Sequence, residues 1–379
     1  MAKEKKRKRR SSGRLTIFVI LLLLAVLAVF LCTQMGSSSL RRFSYQVFDR
    51  VTGDGSDATI KFTENDANLY SFVDGKLAVI SPNILSVYEL SGSTSFSSPV
   101  SLRTPAVSSS ESSFLAFDLG GLNYYLADDD EILFTGSAES KILNANLNES
   151  GDFTITTDSP DCKSLVTAYN SDYEAVYKFH SSEKYVFDAA ISPDEKTIAI
   201  ISYGTTEGSF CTDLSLCHTN EASFFSTISL GESMPLKISF ISDDKLSVIC
   251  DDRLLLYNDD GSLICEKAYS GLNLQSFSIA YDNHISVLLS DSLPSTKKQL
   301  LILDTDGNAK TLDITDDVFY ISTAGKFTAL MFENKCVVYK NDLTEHCLVE
   351  TSADIFKCLA NTDGSILLLS DNSATFFVK

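Results

Sequence analysis

The sequence has no tryptophan, four histidines, four methionines and seven prolines in 379 residues. The first absence excludes any repeat motif built on tryptophan. The histidines, His180, His218, His284 and His346, are 38, 66 and 62 residues apart. None has a second histidine or a cysteine pair at metal-ligand spacing, so each reads as a surface or packing residue. Cys217 and His218 are adjacent, and neighbours on a strand point to opposite faces. No Gly-x-Ser-x-Gly elbow is present, which argues against a hydrolase that adds an α/β domain. Basic residues are scarce beyond the first turn of chain. Residues 1–14 hold eight Lys/Arg and one Glu, whereas the rest holds 23 basic and 49 acidic residues, a net −26. A body this acidic repels phosphate backbones and anionic head groups, which excludes nucleic acid and membrane-surface binding by the globular part.

Apolar residues are plentiful, at 44% of the chain, so a large core is expected and global disorder is not. They begin with a run of their own. Residues 1–14 form a polybasic tail, and Leu15–Leu31 follows with no charge and one threonine. With Cys32 and Thr33 the stretch 15–33 is just long enough to cross roughly 30 Å of hydrocarbon. The rival reading is a cleaved signal peptide. The apolar core is longer than a typical h-region, no clean A-x-A site follows, and bulky Phe30-Leu31 precede Cys32. An uncleaved anchor is therefore expected, with the basic tail cytoplasmic and the acidic body outside. Residues 34–58 read as a juxtamembrane linker. Within it, 53–58 formally match the dinucleotide fingerprint G-x-G-x-x-A. The following TIKFT is strand-like where the motif needs a helix, so a plain loop is expected and no cofactor.

Residues 59–379 read as a single domain of repeats. In Tyr185–Tyr203 (YVFDAAISPDEKTIAIISY) an alternating strand meets a Pro193–Lys196 turn and then a continuous apolar strand. Corresponding units begin near Phe72, Phe114, Gly151, Ile191, Phe240, Ile279, Ile321 and Leu359, with spacings of 42, 37, 40, 49, 39, 42 and 38 residues. A period near 40–45 with three or four strands per unit predicts an all-β fold, a β-propeller. Asp-Gly pairs at 74, 260, 306 and 363 supply hairpin turns. Residues 236–267 give a whole blade: 236–241, 245–250, 253–257 and 262–267. The long spacing before Phe240 is assigned to an insertion at Gly204–Ser209. The last unit runs out after three strands, and Thr59–Thr63 is positioned to supply the fourth, removing two open edges. Eight blades are expected, with seven the runner-up because the unit at Gly151 is weakly patterned.

ISPDEKTIAIIS (191–202) resembles the first hairpin of WD-type and related propellers, although the Gly-His and Trp-Asp dipeptides are absent. The layout of tail, span and repeats is similar to a family of bacterial single-pass membrane proteins with an extracytoplasmic propeller and no assigned activity. That resemblance implies fold and topology only. The chain also resembles eight-bladed quinone-dependent dehydrogenases in blade number, but lacks their tryptophan docking motifs.

Carboxylates cluster at turns, at 128–131, 243–244, 259–260 and 316–317. Solvated hairpins explain them, with calcium at Asp128–Asp130 as the alternative. Asp304–Asn308 begins like a calcium loop but lacks its glycine and its glutamate. Eight cysteines lie beyond the anchor. Cys211 and Cys217 on one strand would be too far apart to bond. Cys336 and Cys347 are the plausible disulfide, set opposite each other by a two-residue turn at Asn341-Asp342. The alternative is that all are free apolar packing residues.

The expected function is a membrane-anchored extracytoplasmic propeller without catalysis or cofactor. It would act as a scaffold or ligand-binding module with another cell-envelope protein as partner. A sensor coupling an outside ligand to a cytoplasmic partner is the first alternative. A propeller enzyme, hydrolase or quinone-dependent dehydrogenase, is the second.

Overall fold

A computed structural model describes residues 59–221, 223–291 and 298–378. The expected tail, span and linker, and the loop at 53–58, lie outside the described residues. No helix among the described residues is long and apolar enough to cross a membrane.

The described chain forms eight antiparallel four-stranded sheets. Seven follow chain order: blades 1 to 7 cover residues 69–99, 105–137, 142–181, 185–231, 235–268, 273–314 and 318–350. Blade 8 combines Lys357–Ala360, Ile366–Leu369 and Ser373–Phe377 with Thr59–Lys61 from the other end. Ile60 pairs with Ala374 and is fully buried. This is the closure that the truncated last repeat requires.

Each strand position has its own composition for a physical reason. Second strands are covered on both faces by neighbouring blades, so Phe114–Asp118, His284–Ser290 and Phe327–Phe332 are buried throughout. Fourth strands form the rim and alternate, as in Leu263–Ala268. Most neighbouring first strands contact one another around the axis. Blade 3 is complete despite its weak pattern. Its second strand reads FTITT, and all five residues are buried. Thr154 repays its burial by donating to Ala189 O of blade 4 at 2.6 Å.

One local expectation takes a definite form and another is corrected. The insertion at Gly204–Ser209 lengthens a hairpin. Thr197–Thr206 and Ser209–His218 are ten-residue strands joined by Glu207-Gly208, both at positive φ as a tight hairpin demands. The hairpin after Lys335–Lys340 is longer than two residues. Lys340 N donates to Thr344 O, Leu343 has φ of 67°, and the register shifts between Val338 and Tyr339. Cys347 therefore lies opposite Val338, and Cys336 opposite Val349. The expected Cys336–Cys347 pair becomes a diagonal, with Cα atoms roughly 7–8 Å apart, beyond ordinary disulfide reach.

Candidate functional site

The first strands are rich in serine and asparagine, and these side chains line the central channel. Several hydroxyls serve the ring itself. Ser108 accepts from Leu147 N at 3.0 Å, Ser278 from Thr323 N at 2.9 Å and Ser322 from Ala360 N at 2.9 Å, each joining one blade to the next. Blade 4 is set back. Its first strand bulges between Val186 and Asp188, and Asn146 of blade 3 reaches past it to donate to Ile238 O of blade 5 at 2.7 Å. Asp188, 1% exposed, lies behind that bond and meets Lys237 Nζ at 3.3 Å. Burial raises its pKa against the opposing pull of Lys237.

Two cavities of about 320 and 240 Å³ open among these side chains. Asn146, Lys237, Ser239 and Phe277 line the first, and Tyr70, Ser71, Glu111 and Thr323 the second. Glu149, Ser278 and Tyr281 border both. Glu149 accepts from Glu111 N at 2.9 Å. Burial pushes its pKa up to about 7, the amide opposes the rise, and the Glu111 charge adds to it. Tyr281 OH donates to Asp243 Oδ1 at 2.8 Å. The channel thus presents hydroxyls, an amide, one paired ammonium and a carboxyl able to exchange a proton near neutrality. This set can hold a small polar ligand. Among the described residues no three His, Cys, Asp or Glu side chains are placed to hold a metal.

The two mouths differ. The turns between first and second strands carry Asp74, Glu111, Glu149, Asp194, Asp243 and Asp282, and those between third and fourth strands add Asp128–Asp130 and Asp259-Asp260. At the opposite mouth each first strand begins. Leu143, Tyr185, Leu236, Phe319 and Phe356 are exposed there, with Leu119 and Leu122 in a nearby turn. Phe319 is 63% exposed. Acidic side chains are present on this face too, at Glu139, Glu232, Asp316-Asp317 and Asp354.

The residues singled out in the sequence are dispersed. His284 is fully buried on blade 6, with Nε2 2.9 Å from Thr328 Oγ1 and Nδ1 3.0 Å from Asn283 Oδ1. Burial pushes its pKa down to about 4, so it is a neutral packing residue. His180 and His218 are exposed, and His218 stacks on Phe225. His346 packs on Phe327. Cys217 is buried under Tyr177 OH, on the opposite face from His218. The calcium alternative at Asp128–Asp130 is replaced by an internal cation. Lys76, with a 3% exposed side chain, places Nζ 2.8 Å from Asp129, 2.8 Å from Asp130 and 3.1 Å from Glu89. Asp304 Oδ1 accepts from Asp306 N and Asn308 N, an Asx turn with no need of an ion. The channel set was missed. Its signal was available in the recurrence of Ser or Asn at one position of successive first strands.

No curated protein matches the sequence. Among solved structures, BamB from Moraxella catarrhalis is similar at 10% identity and a TM-score of 0.50, over 85% of this chain and 98% of that one. The C-terminal WD40 domain of Sif2 is similar at 13% identity and a TM-score of 0.58, over 86% and 100%. A eukaryotic initiation factor is similar at 12% identity and a TM-score of 0.53, over 84% and 90%. These likenesses establish the propeller and nothing further. A family model covers residues 50–376, and the chain belongs to that family, the family of unknown function DUF5711.

Proposed function

We propose that this protein is a membrane-anchored interaction module of the cell envelope, with the propeller outside and residues 1–14 in the cytoplasm. The observation that carries the interaction is the apolar mouth. Large apolar side chains normally leave water on folding, and a ring of them around one opening marks a place where another surface completes the burial. Glu139, Glu232 and Asp354 border that ring together with Arg103 and Lys141, while Asp316 and Asp317 are paired with Lys335 and Lys298. The partner surface is accordingly apolar at its centre, with polar groups of both signs at its edge. The uncharged run at 15–31 and the basic tail support the anchoring. The module has no catalysis of its own in this reading.

The test is crosslinking of tagged full-length protein in intact cells, compared with a Phe319→Asp/Leu143→Asp variant. Loss of one partner from the variant, with the variant's unfolding midpoint unchanged, is expected. Equal recovery of that partner would refute docking at this mouth. A second reading, capture of a small polar ligand in the channel, is favoured by Glu149 between the two cavities. Metabolite-induced thermal shifts abolished by Glu149→Gln would support it.

A further inference from the structure

We propose that Cys336 and Cys358 form a disulfide joining blade 7 to blade 8 when the chain meets a disulfide-bearing oxidant. Cys336 lies on the third strand of blade 7 and Cys358 on the first strand of blade 8. Both are fully buried in one cluster with Ala329, Met331, Val338 and Leu368. Both side chains point into the same apolar seam between the two blades. Cys358 Sγ also lies 4.0 Å from Ala329 O. The strands belong to different sheets, so a bond between the two sulfurs would join the two blades covalently. No other cysteine competes as well. Cys347 is on the strand beside Cys336, but only diagonally. Cys217 is engaged by Tyr177 OH at 3.2 Å, two blades and more away in sequence.

The contact with Cys358, and then burial, hold the Cys336 thiol well above its usual pKa. Neither thiol reacts while the seam is shut, because the thiolate is the nucleophile. Oxidation therefore belongs to folding or to transient opening of blade 8. One cysteine, as thiolate, attacks a sulfur of the oxidant and releases the other oxidant sulfur as a thiolate. The second cysteine then attacks the mixed disulfide and releases the first oxidant sulfur. Two protons and two electrons leave the pair, and the oxidant's disulfide is reduced to two thiols. The proposal concerns the protein's own chemistry and does not depend on where the chain resides.

Trypsin separates the relevant cysteines: Cys336 falls in residues 336–340, Cys347 in 341–357 and Cys358 in 358–379. The full chain is reduced, then equilibrated with glutathione disulfide just below its unfolding midpoint. Thiols are blocked with N-ethylmaleimide, and the protein is digested without reductant. The expected product is 336–340 joined to 358–379, lighter by two hydrogens than the separate peptides and split by a phosphine. The linked protein unfolds roughly 5 °C higher, from the reduced freedom of the unfolded chain. Cys347→Ser keeps both the link and the gain, and Cys358→Ser loses both. Recovery of 336–340 and 358–379 each carrying its own blocker, or of 336–340 joined to 341–357, overturns the proposal. A link that leaves the unfolding midpoint unchanged overturns its role as a staple.

Discussion

Asp152→Asn should make the protein more stable at neutral pH. Asp152 is fully buried in the first turn of blade 3. Its Oδ2 accepts from Asn148 Nδ2 at 2.8 Å, while Oδ1 accepts no hydrogen bond. Burial pushes its pKa up to about 6, and the Glu195 carboxyl of blade 4 pushes it in the same direction. The sign follows. A carboxyl with a folded-state pKa above its usual 3.8 binds protons better in the native state than in the unfolded one. Stability is therefore gained as pH falls from about 6 towards 4, and an unfavourable charge persists above pH 6. The shift sets a ceiling of about 3 kcal/mol. Solvent screening at exposed Glu195 reduces the expected gain to about 1–2 kcal/mol, or roughly 2–3 °C. Asparagine keeps an oxygen for Asn148 and turns an amide donor towards Glu195. The assay is the thermal midpoint of both proteins from pH 4 to 8. The curves should meet near pH 4 and separate above pH 6. A variant less stable than wild type at pH 8, or a gain that persists at pH 4, would refute the reasoning.

Lys76→Met removes the cation that Asp129, Asp130 and Glu89 share, and should cost about 2–3 kcal/mol in denaturant unfolding. That is below the cost for a fully enclosed pair because Asp130 is exposed. Phe153→Ala opens a hole beneath Tyr169, whose ring stacks on Phe153 at 4.7 Å, and should cost about 3–5 kcal/mol by the same measurement. Ile60→Asp places a charge in the closing strand and should lower the thermal midpoint and expose residues 373–377 to hydrogen exchange, leaving blade 5 protected. His284→Gln should abolish part of the acid sensitivity between pH 6.5 and 4. Its depressed folded-state pKa means stability present above 6.5 is lost as pH falls.

The number of blades was legible because a propeller writes its period into the chain. Each covered second strand is apolar and each hairpin turn is polar. Lys245–Cys250 was located without error, and the other strands of blade 5 to within one residue at each end. Legibility failed where a statement depended on one residue of turn length. The loop at 340–344 and its bulge moved Cys347 two places along Cys336's strand. It failed again wherever a group's partner lies on the next blade. Nothing local in KLAVI reveals that Lys76 reaches a turn 53 residues on, or that Asn146 bonds a carbonyl 92 residues away. The apolar mouth was readable in principle, since Leu143, Tyr185, Leu236 and Phe319 share a position in their units. Comparing units for exposure, not only for strand content, would have found it.

The closing blade shows why those inter-blade contacts matter. Thr59–Lys61 contributes only three residue pairs to blade 8, too few to hold two chain ends against their entropy. The seam is reinforced by side chains from three blades. Phe62 packs on Tyr70 at 5.5 Å, Tyr70 on Phe356 at 6.4 Å, and Lys357 Nζ sits 5.5 Å from the Tyr70 ring and 4.7 Å from that of Tyr320. Burial lowers the Lys357 pKa, so its charge is partly desolvated, the condition under which cation–π attraction is strongest. Blades 7, 8 and 1 are thereby tied around one ammonium at the apolar mouth. Phe356 belongs to this clamp and to the exposed ring alike. A partner covering Phe356 would also press on the seam, so docking and ring closure share a residue. Binding at this mouth should therefore slow hydrogen exchange in Ser373–Phe377, a strand that lies outside the ring of exposed apolar side chains.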